Sequence, residues 1–117
     1  MKAGDTFLIP DGISTHLSFV IQVLPDNSLM ICHFTSETPR SDHTCTVEPG
    51  EHAFCTKRTV VRYDQAYICP ADRVANLENV ITKRMEDLSA ALLKRIRQGA
   101  LDSPQAPDVI KERLRHG

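Results

Sequence analysis

The chain has 117 residues, of which 41% are hydrophobic and 25% are charged, and its formal net charge is −1. These values are ordinary for a folded protein, and they exclude an intrinsically disordered chain, which combines low hydrophobicity with high net charge. They also exclude a protein that binds nucleic acid through its overall charge, so any such contact depends on a local basic patch. We expect a single domain over residues 1–117.

The start of the sequence predicts neither secretion nor insertion into a membrane. Asp5 leaves no room for the apolar segment of a signal peptide, and the longest apolar runs are far below the ~18 residues that cross a bilayer. We therefore expect a cytoplasmic protein with no membrane contact.

The cysteine pattern favours buried or half-buried thiols. The chain contains no Cys-x-x-Cys pair, so a disulfide framework or a zinc ribbon has little support. The cysteines are Cys32, Cys45, Cys55 and Cys69.

Residues 1–69 predict a region built from short β-strands. The predicted strands are Thr6–Ile9, His16–Leu24, Leu29–Phe34, Thr44–Val47, Thr59–Tyr63 and Gln65–Cys69. Turn residues separate them, as in Pro10-Asp11-Gly12, and the four-residue turn after Leu24 makes the second and third strands a hairpin. Strands of this number and length favour a small SH3-like barrel, closed or half-closed.

Residues 70–117 predict a helical C-terminal extension. Apolar residues recur there at intervals of 3, 4, 4, 3, 4 and 4, which places them on one face of a long amphipathic helix. They are Val74, Leu77, Ile81, Met85, Leu88, Leu92 and Ile96. Gly99 is placed to end this helix, and a short final helix reaches Leu114. A helix of about 26 residues would be ~39 Å long, so it is either broken near Thr82 or projects towards a partner.

The segment Thr59–Gln65 carries the most informative pair of polar residues. Arg62 and Asp64 are two positions apart, which places them on the same face of a strand. Together they can supply a fixed cation and a proton acceptor to one substrate. Taken alone, such a pair is also typical of a surface ion pair that contributes less than about 1 kcal/mol.

Several sequence features follow one another along the chain in a recognisable order. Gly4-Asp5 begins the first strand, an apolar second strand follows a glycine-bearing loop, Thr35-Ser36 ends the third strand, and Val60–Gln65 lies near the end of the β-rich region. In this order, over roughly residues 4 to 98, they resemble the MazF/PemK (Kid-like) ribonuclease toxins of bacterial toxin–antitoxin systems. The chain departs from the family pattern at His16-Leu17, where an Arg-Pro pair is common, and in an insertion at Cys45–Phe54.

The resemblance implies an endoribonuclease that cleaves single-stranded RNA through its own 2′-hydroxyl, with no metal and no cofactor. It implies catalytic roles for Arg62 and Asp64, assisted by His16, and a contact of Thr35 with the scissile phosphate. It further implies a homodimer that is neutralised by a cognate antitoxin protein. The expected substrate-binding residues are Thr35, Ser36, Lys57 and Arg58, of which the last two form the main basic patch with Arg62.

Two other interpretations of the sequence remain open. His43-x-Cys45 and His52-x-x-Cys55 place four possible zinc donors within thirteen positions. Alternatively, the protein is a catalytically silent SH3-like module that binds protein or nucleic acid. An enzyme requires Arg62 and Asp64 in one accessible concavity, whereas a binding module would leave them apart or paired outside any cleft.

Overall fold

The structure of this chain, a computed structural model, describes residues 1–11 and 14–116. Its main element is an antiparallel sheet of seven strands, followed by helices in the C-terminal part. The strands are β1 (Thr6–Asp11), β2 (Ser14–Val23), β3 (Leu29–Ser36), β4 (Thr46–Val47), β5 (Thr59–Val61), β6 (Tyr67–Cys69) and β7 (Lys83–Met85). The helices are α1 (Val74–Val80), α2 (Ala90–Asp102) and α3 (Asp108–His116). The predicted order, β-rich and then helical, is confirmed.

Strand β3 is the centre of the sheet. It pairs with β2 along one edge, and its other edge is shared by β6 at Leu29–Ile31 and by β5 at Phe34–Ser36. The strand order is β4-β5-β3-β2-β1-β7. Among the described residues this order has two free ends, β4 and β7, so the sheet is not closed into a barrel.

The two faces of the sheet carry separate apolar clusters. The larger cluster contains Phe19, Cys32 and Phe34 of the sheet. Leu92 and Ile96 of α2 and Ile110 of α3 pack in the same cluster. Side chains alternate along a strand, so the opposite face receives the other set of residues. That second cluster contains Phe7, Val20, Leu29, Ile31 and Cys69. We call these the inner face and the outer face of the sheet.

The predicted long helix is wrong, and the break near Thr82 is the alternative that the structure supports. Val74, Leu77 and Ile81 pack against the outer face, whereas Leu88, Leu92 and Ile96 belong to the inner cluster. One straight helix cannot reach both sides of a sheet. The chain therefore passes around the sheet edge as β7, which pairs with β1 and covers backbone groups that would otherwise be unpaired.

Gly99 lies inside α2 and does not end it, because the helix continues to Asp102. A Cβ atom at Gly99 would lie 2.1 Å from the hydroxyl oxygen of Tyr63 and 2.9 Å from Cζ of the same ring. The Tyr63 hydroxyl donates a hydrogen bond of 2.8 Å to the Ile96 carbonyl. The glycine is therefore required for the close approach of a buried tyrosine to the helix.

Three strand boundaries differ from the prediction in a way that affects the site. Strand β3 extends to Ser36, so Thr35 and Ser36 are strand residues. Strand β5 ends at Val61, and the chain then forms a 3₁₀ turn at Tyr63–Gln65. The first strand continues through Asp11, so the chain does not turn at Pro10, and Gly12 lies outside the described residues.

All four cysteines are buried and reduced, as the sequence predicts. Burial raises the pKa of the Cys32 thiol to about 12, so this side chain is neutral and a poor nucleophile at physiological pH. No helix within residues 1–11 and 14–116 is both long enough and apolar enough to cross a membrane.

Candidate functional site

The outer face of the sheet changes from apolar to polar along β2 and β3. Leu29 and Ile31 are buried at the end that α1 covers, and His33 and Thr35 follow on the same face as half-buried polar residues. On β2, buried Val20 is likewise followed on this face by half-buried Ser18 and His16. The polar end of this face is the candidate site.

Two histidine rings meet on this polar surface. The centroids of the His16 and His33 rings are 4.7 Å apart, with the ring planes tilted by 33°. His33 did not emerge from the sequence analysis. In the sequence, apolar Cys32 and Phe34 alternate with polar His33 and Thr35, and this alternation is the signal that could have identified His33.

Arg62 and Asp64 lie together, although not on a strand as predicted. Arg62 follows the end of β5, and its N–H donates a hydrogen bond of 2.9 Å to the His33 carbonyl. The 3₁₀ turn then brings Asp64 back towards it, so that Arg62 Nε lies 2.8 Å from Asp64 Oδ1 and Nη2 lies 3.3 Å from Oδ2. Tyr63 lies between them and is buried. Its hydrogen bond to the Ile96 carbonyl anchors this turn to α2.

A cavity of about 380 Å³, which we call the first cavity, opens beside this ion pair. Thr35, Ser36, Arg62 and Asp64 all line it, so four of the residues singled out from the sequence meet there. The side chains of Arg62 and Asp64 are 46% and 36% exposed, which leaves both open to a solute. They are thus paired with each other and also contained in one accessible concavity.

Other residues of the first cavity were not predicted from the sequence. Arg40, Ser41 and Asp42 come from the loop after β3, and Gln105 comes from the connection between α2 and α3. Arg40 is exposed, and its guanidinium makes no ion pair with a carboxylate in the part of the chain that the structure describes. Loop residues distant in sequence carry no periodic signal, so only the folded chain identifies them.

A second cavity, of about 460 Å³, adjoins the first and shares Thr35 and Ser36 with it. His16 and Lys57 line this second cavity and not the first. Arg58 lines neither, because its Nε lies 3.2 Å from Glu37 Oε2 and 3.2 Å from Glu48 Oε1. The predicted set is therefore divided between two adjoining compartments, and the charge of Arg58 is largely neutralised.

The possible zinc donors do not come together. His43 lies 3.4 Å from Glu37, whereas the buried His52 ring accepts a hydrogen bond from the Phe54 N–H and contacts the Glu86 carbonyl. Cys45 packs near Gly99. Over residues 1–11 and 14–116, no group of three or more histidine, cysteine or acidic side chains has a metal-binding arrangement.

Asp42 joins the loop after β3 to the C-terminal helices. One carboxylate oxygen accepts a hydrogen bond from the buried Ser103 hydroxyl, and the other accepts one of 2.9 Å from the Thr44 N–H. Ser103 Oγ in turn accepts a hydrogen bond of 3.1 Å from the Gln105 N–H. Partial burial acts to raise the pKa of Asp42, but these hydrogen bonds outweigh it, and the pKa is lowered.

We expect Asp42→Asn to lower the free energy of unfolding by about 1 kcal/mol at pH 7. A lowered folded-state pKa stabilises the protein above the unfolded value of about 3.9, and this contribution is lost as the pH falls through the folded-state pKa. Urea unfolding at pH 7 and near pH 3 should therefore show a difference from wild type that shrinks in acid. Asp72→Asn, at an exposed position, is the control. A difference that grew in acid would contradict this assignment.

Comparison with known proteins does not place this chain in a family. No model of a known protein family matches it, and no curated protein matches its sequence.

Proposed function

We propose that this protein is a MazF/PemK-like toxin: a sequence-preferring, metal-independent endoribonuclease that cleaves single-stranded RNA and whose fold is a variant of the small SH3-like barrel. The observation that carries the proposal is the Arg62–Asp64 pair in the wall of a cavity that also contains Thr35 and Ser36. This combination places a cation, a carboxylate and hydroxyl groups around a space of about 380 Å³, which suits a sugar-phosphate unit.

The residue types match what cleavage by the 2′-hydroxyl requires. The reaction needs a base that removes the 2′-hydroxyl proton, a cation that stabilises charge on the phosphate, and an acid that protonates the leaving 5′-oxygen. Asp64 or His16 serves as the base, and the leaving 5′-oxygen takes its proton from a water molecule in the open cavity. Arg62 uses two of its five N–H donors on Asp64, so the remaining donors can form hydrogen bonds to the phosphate and to the leaving oxygen, although the guanidinium does not give up a proton.

Arg40 supplies a second cation to the first cavity. Asp64 partly neutralises Arg62, and Asp42 lines the same cavity, so a second cation is needed beside an anionic substrate. The carboxylate of Asp42 is itself engaged by hydrogen bonds from Ser103 and Thr44. Arg40 lines the same cavity and is exposed. In this proposal Arg40 binds the phosphate, while Arg62 acts at the reacting atoms.

The resemblance extends the proposal to partners. A homodimer would extend the groove across two subunits, and a segment of an antitoxin protein would occupy that groove and block RNA. Within one subunit, the two adjoining cavities share Thr35 and Ser36 and together provide room for more than one nucleotide. Sedimentation at micromolar concentration should then give the mass of a dimer.

The test is to incubate the purified protein with single-stranded RNA in the presence and absence of a chelator. We expect cleavage in both, with a 2′,3′-cyclic phosphate on the upstream product and a 5′-hydroxyl on the downstream product. A single 2′-deoxy substitution at the cut site should stop cleavage there, because it removes the nucleophile. Loss of activity in chelator would contradict the metal-independent mechanism. A protein inert towards all RNA would favour the silent binding module.

A further inference from the structure

Of the proposed catalytic residues, His16 lines the second cavity, whereas Arg62 and Asp64 do not, so catalysis does not account for the rest of its lining. Its volume is about 460 Å³, and its walls include Phe54, Thr56 and Lys57 of the loop before β5. It shares Thr35 and Ser36 with the first cavity, so a ligand in one compartment is adjacent to a ligand in the other.

Phe54 is exposed, unlike the other phenylalanines of the chain. Phe7, Phe19 and Phe34 are at most 2% exposed, whereas Phe54 is 37% exposed and lines the second cavity. A single exposed apolar residue is ordinary on a protein surface, so exposure alone carries no functional meaning. The way in which the structure holds this residue is the second observation.

The backbone around Phe54 is anchored by hydrogen bonds to His52 and Glu86. The Phe54 N–H donates a bond of 3.1 Å to Nδ1 of His52, whose ring is buried and whose Nε2 lies 2.8 Å from the Glu86 carbonyl. The Ala53 N–H donates a bond of 2.7 Å to Glu86 Oε1. The ring is therefore presented to the cavity by an ordered loop, which reduces the entropy lost when a ligand stacks on it.

The charge beside Phe54 favours an anionic ligand. Lys57 lines the same cavity, and no carboxylate within the described residues pairs with its ammonium group. Its neighbour Arg58 is instead occupied by Glu37 and Glu48. An aromatic face, an available ammonium group and several hydroxyl groups match a nucleotide, since every base has a face that stacks and each phosphate carries a charge.

We propose that the second cavity binds one nucleobase of single-stranded RNA, stacked on Phe54, with the adjoining phosphate contacted by Lys57. This inference rests on the proposed function, because it places the base next to the phosphate that Arg62 and Asp64 would cleave. It assigns recognition of the substrate to the Cys45–Phe54 segment and the residues that directly follow it.

The test measures binding and not cleavage, so that the two proposals can fail separately. The probes are fluorescein-labelled 2′-fluoro octamers of uridine, cytidine or adenosine, which lack the 2′-hydroxyl nucleophile, and an abasic octamer of the same charge. We expect Phe54→Ala to weaken binding of at least one base-bearing octamer about 5- to 100-fold, the loss typical of a removed stacking contact. Binding of the abasic octamer should not change. Phe54→Trp should retain the affinity.

Two further variants separate stacking from charge and from general surface effects. Tyr67→Ala removes another exposed aromatic residue, 44% exposed and in neither cavity, and should leave all affinities unchanged. Lys57→Gln should weaken all octamers alike, including the abasic one, and should reduce the salt dependence of binding by about one phosphate contact.

The outcomes are decisive for each proposal. Binding that depends on Phe54, in a wild type that does not cleave RNA, would support the base-binding site and overturn the nuclease. Cleavage by the wild type, together with equal affinities for Phe54→Ala and wild type, would overturn the base-binding site alone. No affinity for any octamer would also overturn it.

Discussion

Asp64→Ala and Arg62→Ala are each expected to reduce the rate of RNA cleavage by about 10²- to 10⁴-fold, the usual contribution of a positioned acid, base or charge-stabilising group. Both side chains are exposed, and neither belongs to an apolar cluster. Their removal should therefore leave the circular dichroism spectrum and the melting temperature close to those of wild type. The measurement is single-turnover cleavage of a labelled RNA that the wild type cuts.

A matched control distinguishes catalysis from the loss of a surface charge. Arg113 is also a partly exposed arginine, with its Nη2 3.7 Å from Asp26 Oδ1, and it lines neither cavity. Arg113→Ala should cleave RNA at the wild-type rate. In cells, induced expression of wild type should arrest growth and degrade RNA, whereas Asp64→Ala should do neither. Undiminished cleavage by Asp64→Ala would refute the assignment, and the pair would then be a surface ion pair without a catalytic role.

Gly99→Ala is expected to lower the free energy of unfolding by about 1 to 3 kcal/mol, because the added methyl group overpacks the core. At an unobstructed position inside a helix, the same substitution would stabilise the protein by about 1 kcal/mol. The sign reverses here because the new Cβ would lie 2.1 Å from the Tyr63 hydroxyl and 3.2 Å from Cβ of Cys45. Urea unfolding, with the adjacent exposed Gln98→Ala as control, measures the difference.

A double-mutant comparison identifies the contact responsible. Tyr63→Phe removes the closest obstacle and leaves the ring carbon at 2.9 Å, so Gly99→Ala should be less harmful in that background than in wild type. Since Tyr63 lies between Arg62 and Asp64, displacement of its ring should also slow RNA cleavage. A Gly99→Ala protein as stable as wild type would contradict this prediction, because it would show that the Tyr63 ring and α2 can move apart without any loss of folding free energy.

Periodicity and composition predicted the parts of this structure that depend on local pattern. The predicted strands contain buried apolar residues, and Ile68 of the last of them is half-buried; the buried ones include Val20, Ile21, Leu29, Ile31, Val60 and Val61. The proximity of Arg62 to Asp64 was also predictable, because only Tyr63 separates them in the sequence. The reason given for it was wrong, since a 3₁₀ turn and not strand alternation brings them together.

The sequence by itself determined the β-rich first part, the helical second part and the buried thiols. It also determined that Asp64 lies near Arg62. Each of these follows from spacing along a continuous stretch of chain. Only the tertiary structure decided where the apolar stripe from Val74 to Ile96 divides, because its two halves pack on opposite faces of the sheet. It likewise decided that Arg40 and Gln105 join Arg62 in one cavity. A spacing rule reports which residues share a face of one element, but not which face that element meets or which distant loops converge upon it.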